Sequence, residues 1–346
     1  MAKILMTVDA SITRNNGVLR FMIEGSTILH EQGHQVDLLL DTTPADPSIP
    51  LTKWFTQVYQ TPGDANYPNE IVNGVPEINF LPERVERFKQ GYQTTPQDYD
   101  MVLGNDLHSS SAMRDLHPNA HHYVHTASLI SDENLTFLTD DFIARERELA
   151  RNMNCFVPTD WMKNNYFPNA RRLGLPLTNP EQYQRKTDGR GKGVLFFGEG
   201  TYRKGADRYV DVMKTLNLPA RVVASSTIEV EFAGLNDLDQ RCFGPDETQE
   251  KQEFVRECRL MYFPSRGETV SYAVLEACLS QPVVLEQEHN WTQQHTNWCY
   301  LTTQEGAEKM IEDIYEEGGD GREQNVRKYI DQSLQDWKDL INPVES

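Results

Sequence analysis

Short apolar runs alternate with amphipathic helical stretches along most of the chain, and the alternation starts twice. KILMTV (3–8) reads as a buried strand. Beyond a polar loop, Leu19, Met22, Ile23, Ile28 and Leu29 recur at helical spacing, and Gly33 sits where a helix C-cap belongs. QVDLLL (35–40) is the next strand. Parallel neighbours need a crossover connection, normally a helix, so repeated strand–helix–strand order builds a doubly wound sheet.

The pattern continues with strands at 100–106, 121–126 and 154–159 and helices at 82–91, 134–151 and from Asp160. Residues 41–97 otherwise show little periodicity. Periodicity lapses again over 171–192, which carries Pro and Gly, and the hinge is placed there. A second series follows: strands at 194–198, 220–225, 260–264 and 282–285, with helices at 204–215, 247–258, 271–280 and 304–317. The expected fold class is α/β with two Rossmann-like doubly wound domains, 1–175 and 176–320. A polar C-terminal helix within 321–346 is placed to pack back on the first domain. Ligands of such sheets bind outside the carboxyl ends of the strands. A length of 346 residues suits two domains of ordinary size.

Several functions are disfavoured by composition. No apolar run reaches the length of a membrane span. A net charge of −19 opposes non-specific attraction to nucleic acid or anionic lipid. Five scattered cysteines without CxxC spacing suit reduced thiols in a cytoplasm. The strings Asp98-Tyr-Asp100 and Asp237-Leu-Asp239 match D-x-D metal motifs, but Asp98–Asp100 immediately precedes a strand, an ordinary capping position; no metal is expected.

The stretch SRGETVSYAVLEACLSQPVV (265–284) is the most informative. A strand runs into a turn holding Ser265, Gly267 and Glu268, and a helix carrying Glu276 begins near Val270–Ser271. Glutamates usually sit in water. Here they flank a helix start, where unpaired N–H groups favour an anion, and carboxylates accept hydrogen bonds from sugar hydroxyls.

This stretch resembles the donor-site signature of retaining glycosyltransferases of family 4, which have the GT-B fold: Pro-Ser, Glu, seven residues, Glu-Ala, then Pro-Val-Val. The resemblance implies that Glu268 holds donor-sugar hydroxyls and Glu276 the ribose, with the amides of Thr269, Val270 and Ser271 at the diphosphate. Ser271 and Gln281 stand where members commonly carry Gly. FFGEGTYRKGADRYVDVM (196–213) is similar to the family's phosphate turn, with Lys204 and Gly205 in place. The family arginine is Glu199 here, and Arg203, beside Lys204, is the cation that could supply its charge. YVHTASLI (123–130) resembles the family's His-Thr strand end, which implies a sugar contact for His125. The same resemblance assigns Gly17 to a glycine-rich turn opening the first helix, and Phe243–Gly244 to the loop lining the base.

The implied function is metal-independent, retaining transfer of a sugar from a nucleoside-diphosphate sugar, UDP-sugar rather than GDP-sugar, by a cytoplasmic enzyme in a bacterium or a phage-infected host. The first domain would face the acceptor and the second would bind the donor. The alternative is a non-catalytic nucleotide-sugar-binding protein that kept the fold, a reading that Glu199 and Ser271 keep open. The acceptor stays open between a soluble glycan or small molecule and a hydroxymethylated base of phage DNA. DNA enters through the local basic excess of Arg171, Arg172, Arg185, Lys186, Arg190 and Lys192, although a charged hinge is the commoner meaning of such a segment. No basic amphipathic helix suggests a membrane acceptor.

Overall fold

The first sheet is parallel throughout. It holds β1 (Lys3–Val8), β2 (Gln35–Leu40), β3 (Val58–Gln60), β6 (Met101–Gly104), β7 (Ala120–Tyr123), β8 (Asn154–Val157) and β9 (Arg171–Arg172), in the order β3-β2-β1-β6-β7-β8-β9. Strand order reverses between β1 and β6, where Ile4 pairs with Met101 and Thr7 with Gly104. The central strands β1, β6 and β7 are almost wholly buried, as a sheet covered on both faces requires. The computed structural model describes residues 1–9, 17–41, 49–63, 70–72, 75–130, 138–184, 191–224, 230–243, 247–319 and 322–341. Between β3 and β6 lie a small antiparallel pair, β4 (Glu70–Val72) and β5 (Val75–Glu77), and the helix α2 (Pro82–Gln93). The other helices of this unit are α1 (Gly17–Glu31), α3 (Leu107–Leu116), α4 (Asp140–Asn152) and α5 (Asp160–Asn165).

The second sheet repeats the plan. β10 (Val194–Phe197), β11 (Ala220–Val223), β12 (Asp239–Arg241), β13 (Leu260–Phe263), β14 (Val283–Glu286) and β15 (Tyr300–Thr302) run parallel in the order β12-β11-β10-β13-β14-β15. Its helices are α6 (Ala206–Leu216), α7 (Thr248–Arg256), α8 (Tyr272–Cys278) and α9 (Ala307–Glu317). One face packs Phe196, Tyr209, Phe232 and Tyr262 into an aromatic core. Strand order reverses between β10 and β13. Each unit therefore has the dinucleotide-fold order, two strands out from the first and then back past it, as the double alternation predicts.

The chain divides into Met1–Thr178 with Gln332–Ser346, and Asn179–Asp331. The last helix, α10 (Glu323–Lys338), belongs to both. Its later half returns to the first unit through Trp337, whose indole N–H donates to the Gly174 carbonyl at 3.0 Å. That indole occupies the space a Cβ on Gly25 would need, so α1 accepts it only because position 25 has no side chain. All five cysteines are free thiols, and among the described residues no helix is long and apolar enough to cross a membrane.

Several elements depart from the expected boundaries. α3 lies between two expected strands where the sequence predicts no element, β3 and β9 lie in segments read as irregular, and α8 is only seven residues long. At that length α8 adds only a small dipole to the unpaired N–H groups at its start.

Candidate active site

In an open parallel sheet the crevice opens where strand order reverses, beyond the carboxyl ends of the two strands concerned. In the second unit these are β10 and β13, and their exits are the turn 198–205 and the turn 264–271. Gly205 joins them. Its φ of +75° is left-handed, and a Cβ there would collide with the Pro264 carbonyl. Glycine is required on both counts.

That approach brings Lys204 onto Glu268. The Lys204 ammonium pairs with Glu268 Oε1, which also accepts from Ser265 Oγ at 2.9 Å. Arg203 Nη1 lies 3.7 Å from the same oxygen and donates to the Gly267 carbonyl at 3.2 Å. Arg266 ties the turns from the other side. Its N–H donates to the Arg203 carbonyl at 2.9 Å, and its guanidinium holds Asp207 in two bonds of 2.8 and 2.9 Å. Burial raises Glu268, but the charges of Lys204 and Arg203 outweigh it and hold its carboxyl below the usual range. For Lys204 burial wins over the single carboxylate and lowers its ammonium. Two cations, Lys204 and Arg203, face the one buried carboxylate of Glu268. Glu199 is exposed, and its charge acts on Lys204 in the same sense as that of Glu268.

Glu276 lies within α8 and is fully buried. Its Oε1 accepts from the Tyr183 hydroxyl at 2.9 Å and from Lys251 Nζ at 3.2 Å. The carboxylate is therefore fixed before any ligand arrives. Thr269, Val270 and Ser271 connect the two glutamates. Their backbone N–H groups find no acceptor among the described residues, while the Thr269 carbonyl is engaged by Gln294. Phe243 is buried against Phe254 of α7, and Gly244 lies outside the described residues.

His125 and Gly17 belong to the first unit. His125 follows β7, and its Nε2 lies 3.1 Å from Asn105 Oδ1, beyond the end of β6. Burial, with repulsion from His122 second, lowers its pKa to about 3. Gly17 opens α1 and is exposed, and a Cβ there would meet nothing, so the structure places no steric demand for glycine at that position. The turn before it lies outside the described residues.

One group among the described residues could offer a metal three ligands: Asp9, Asp106 and His108, with atoms within 4.8 Å of one another. Those atoms already have partners. His108 Nδ1 bonds Asp9 Oδ2, and its Nε2 accepts from the Leu81 N–H at 3.0 Å. Asp106 accepts from the N–H groups of Ser109 and Asp9 at 2.8 and 2.7 Å. Arg84 Nη1, 3.6 Å from Asp9 Oδ2, opposes a further cation. The group is a polar network joining the exits of β1 and β6.

Within the basic segment Arg171 and Lys192 are exposed, whereas Arg172 is committed. Arg172 is paired with Asp336 at 3.4 Å and Asp160 at 3.7 Å, and the Arg171 guanidinium lies 5.4 Å from the Phe156 ring centroid. Arg185, Lys186 and Arg190 lie outside the described residues. Sequence reasoning missed Tyr183, Lys251, Arg266 and Asn105. Only Asn105 had a signal, its place directly after an apolar strand, where ligands of such sheets bind.

No protein-family model matches the sequence, and no curated protein matches it. Solved structures do. TarM aligns with a TM-score of 0.71 at 10% identity over 99% of both chains. Sucrose-phosphate synthase from Thermosynechococcus elongatus aligns at 0.69 and 14% identity, over 99% of this chain and 96% of its own. The pneumococcal O-GlcNAc transferase GtfA, solved in complex with UDP and GlcNAc, aligns at 0.66 and 11% identity over 98% of both. Identities this low establish a likeness of fold: the chain has the GT-B fold, two Rossmann-like parallel α/β units.

Proposed function

We propose that the protein is a glycosyltransferase that moves a sugar from a UDP-sugar to an acceptor hydroxyl with retention of configuration. The observation that carries this reading is the convergence of Lys204, Arg203 and Glu268 at the strand-order reversal of the second unit, with the preset carboxylate of Glu276 in the following helix. In this reading Lys204 and Arg203 take the diphosphate, with the amides of Thr269, Val270 and Ser271. Glu276 accepts from the ribose hydroxyls, and Glu268 and His125 orient the sugar. The Phe243–Gly244 loop lines the base, and Gly17 opens the first helix, whose start serves the donor phosphates or the acceptor. Charge developing on the leaving diphosphate is met by fixed cations and amides, the role a metal has in other transferases.

UDP is favoured as the nucleotide because GtfA, which shares the fold, was solved with it. The acceptor is a soluble glycan or small molecule or a hydroxymethylated base of DNA; of the basic residues that would favour DNA, Arg172 is committed to two carboxylates. The test is UDP release from a panel of UDP-sugars, with and without candidate acceptors, in the presence of EDTA. Slow donor hydrolysis that an acceptor accelerates supports the proposal. UDP binding without release from any donor favours the non-catalytic binding protein, and activity lost in EDTA and restored by Mn²⁺ overturns the metal-independent route.

A further inference from the structure

His125 lies against an amide whose orientation is fixed. Asn105 is almost fully buried, and its Nδ2 donates to the carbonyls of Thr7 at 3.2 Å and Leu103 at 3.3 Å. A primary amide has two N–H groups and one carbonyl oxygen. Turning it over would set its oxygen against two main-chain carbonyls and its N–H groups against the imidazole. Oδ1 therefore faces His125 as an acceptor, and Nε2, 3.1 Å away, must carry the proton. A neutral imidazole bears one N–H, so Nδ1 is left with a lone pair. The ring is held by Phe21, edge-on at 4.9 Å, and by Tyr123 at 4.4 Å. Burial keeps it neutral at physiological pH. Among the described residues Nδ1 has no hydrogen-bond partner.

We propose that Asn105 is a positioning residue that locks His125 in the Nε2–H tautomer, so that Nδ1 accepts a hydrogen bond from a hydroxyl of the donor sugar. This rests on the assignment of His125 to the sugar made above. Its consequence is a selectivity: the sugar group that meets His125 must be a donor, such as a hydroxyl or an acetamido N–H. A carboxylate or carbonyl there would oppose the lone pair. Without Asn105 the ring is free to protonate at Nδ1 and to offer the sugar a donor where it needs an acceptor.

Long-range ¹H–¹⁵N correlation spectra of the His125 ring test the tautomer directly in the wild-type protein. The Nε2–H pattern is expected, and an Nδ1–H pattern overturns the proposal. Asn105→Ala is expected to give a tautomer mixture. It should also lower kcat with a UDP-sugar about tenfold, a loss of some 1.4 kcal/mol in transition-state stabilisation, with unchanged affinity for UDP, which carries no sugar. Should Asn105→Ala fail to fold, the wild-type spectrum decides the tautomer, and a panel of monodeoxy UDP-sugars decides the contact. One deoxy position must then lose rate in the wild type and lose nothing further in His125→Phe. A changed tautomer with unchanged kcat overturns the sugar contact. Failure to turn over any UDP-sugar removes the glycosyltransfer reading and the sugar contact with it, while the spectrum still decides what Asn105 does to His125.

Discussion

The Tyr183 hydroxyl donates to Glu276 Oε1 at 2.9 Å, and Lys251 reaches the same oxygen at 3.2 Å, so one carboxylate is anchored from two other elements. Glu276→Ala removes the carboxylate that Lys251 meets at 3.2 Å, at a site where the lysine side chain keeps only 14% of its exposure. Removing one partner of a buried pair costs about 3–5 kcal/mol, and the residual solvent contact of Lys251 places the loss near the lower end. UDP affinity falls with it, because the ribose is common to donor and product. Tyr183→Phe deletes one hydrogen bond and costs about 0.5–1.5 kcal/mol. Urea unfolding and calorimetric UDP titration measure both effects. A Glu276→Ala protein that binds UDP like the wild type sinks the ribose assignment.

Glu268 gives a pH dependence of known sign. Lys204 and Arg203 hold its carboxyl below the ordinary value in the folded protein, although burial alone would raise it. A carboxyl depressed by folding stabilises the native state above the unfolded value, about 4.3, and that contribution is lost as pH falls through the folded value. Wild type should therefore lose stability below about pH 4.3 more steeply than Glu268→Gln. Thermal melts of both proteins across that range make the comparison. Parallel pH profiles would show that the ion pair does not couple to folding.

The C-terminal helix provides a packing prediction. Gly25→Ala places a methyl inside the Trp337 indole, which is tethered to the Gly174 carbonyl and cannot shift without losing that bond. Overpacking of this kind costs about 1–3 kcal/mol. Hydrogen exchange should speed up in the later half of α10 and at 174, and Gly25→Ser should behave no better than Ala.

The double alternation of strands and helices made the fold legible, because a short apolar run such as LMYF (260–263), too brief for a helix and followed by Pro264, reads as a buried strand. The helix α3 was not legible. Its sequence LHSSSAMRDL buries His108, Ser109 and Ser110, polar residues satisfied by Asp9, Asp106 and His122, so the periodicity that marks a helix is missing. The β3 strand, three residues long, is likewise too short to show a period. Glu268, Glu276, Lys204 and Gly205 stood out through motif spacing. Tyr183 and Lys251 come from elements with no motif, and only tertiary packing brings them to Glu276.

The departure at Glu199 yields the sharpest test of the phosphate turn. A carboxylate at contact distance from a diphosphate is repelled by roughly 1–4 kcal/mol in a partly wet site. Glu199 is exposed, so solvent screens it, and its charge acts on Lys204. The Lys204 ammonium has three N–H donors, so it can meet a diphosphate while keeping its pairing with Glu268. Glu199→Arg removes one competitor and adds a cation beside the turn. Donor KM should fall by up to about tenfold at low ionic strength, and the gain should shrink in 1 M salt, where the Debye length is about 3 Å. Lys204→Ala works in the other direction, with turnover at least about tenfold lower, or some 1.4 kcal/mol of transition-state stabilisation. The two variants together separate a phosphate site from a structural ion pair. If Lys204→Ala changes stability but neither UDP affinity nor rate, and Glu199→Arg leaves KM untouched at every salt concentration, the turn holds only Glu268 and the diphosphate lies elsewhere.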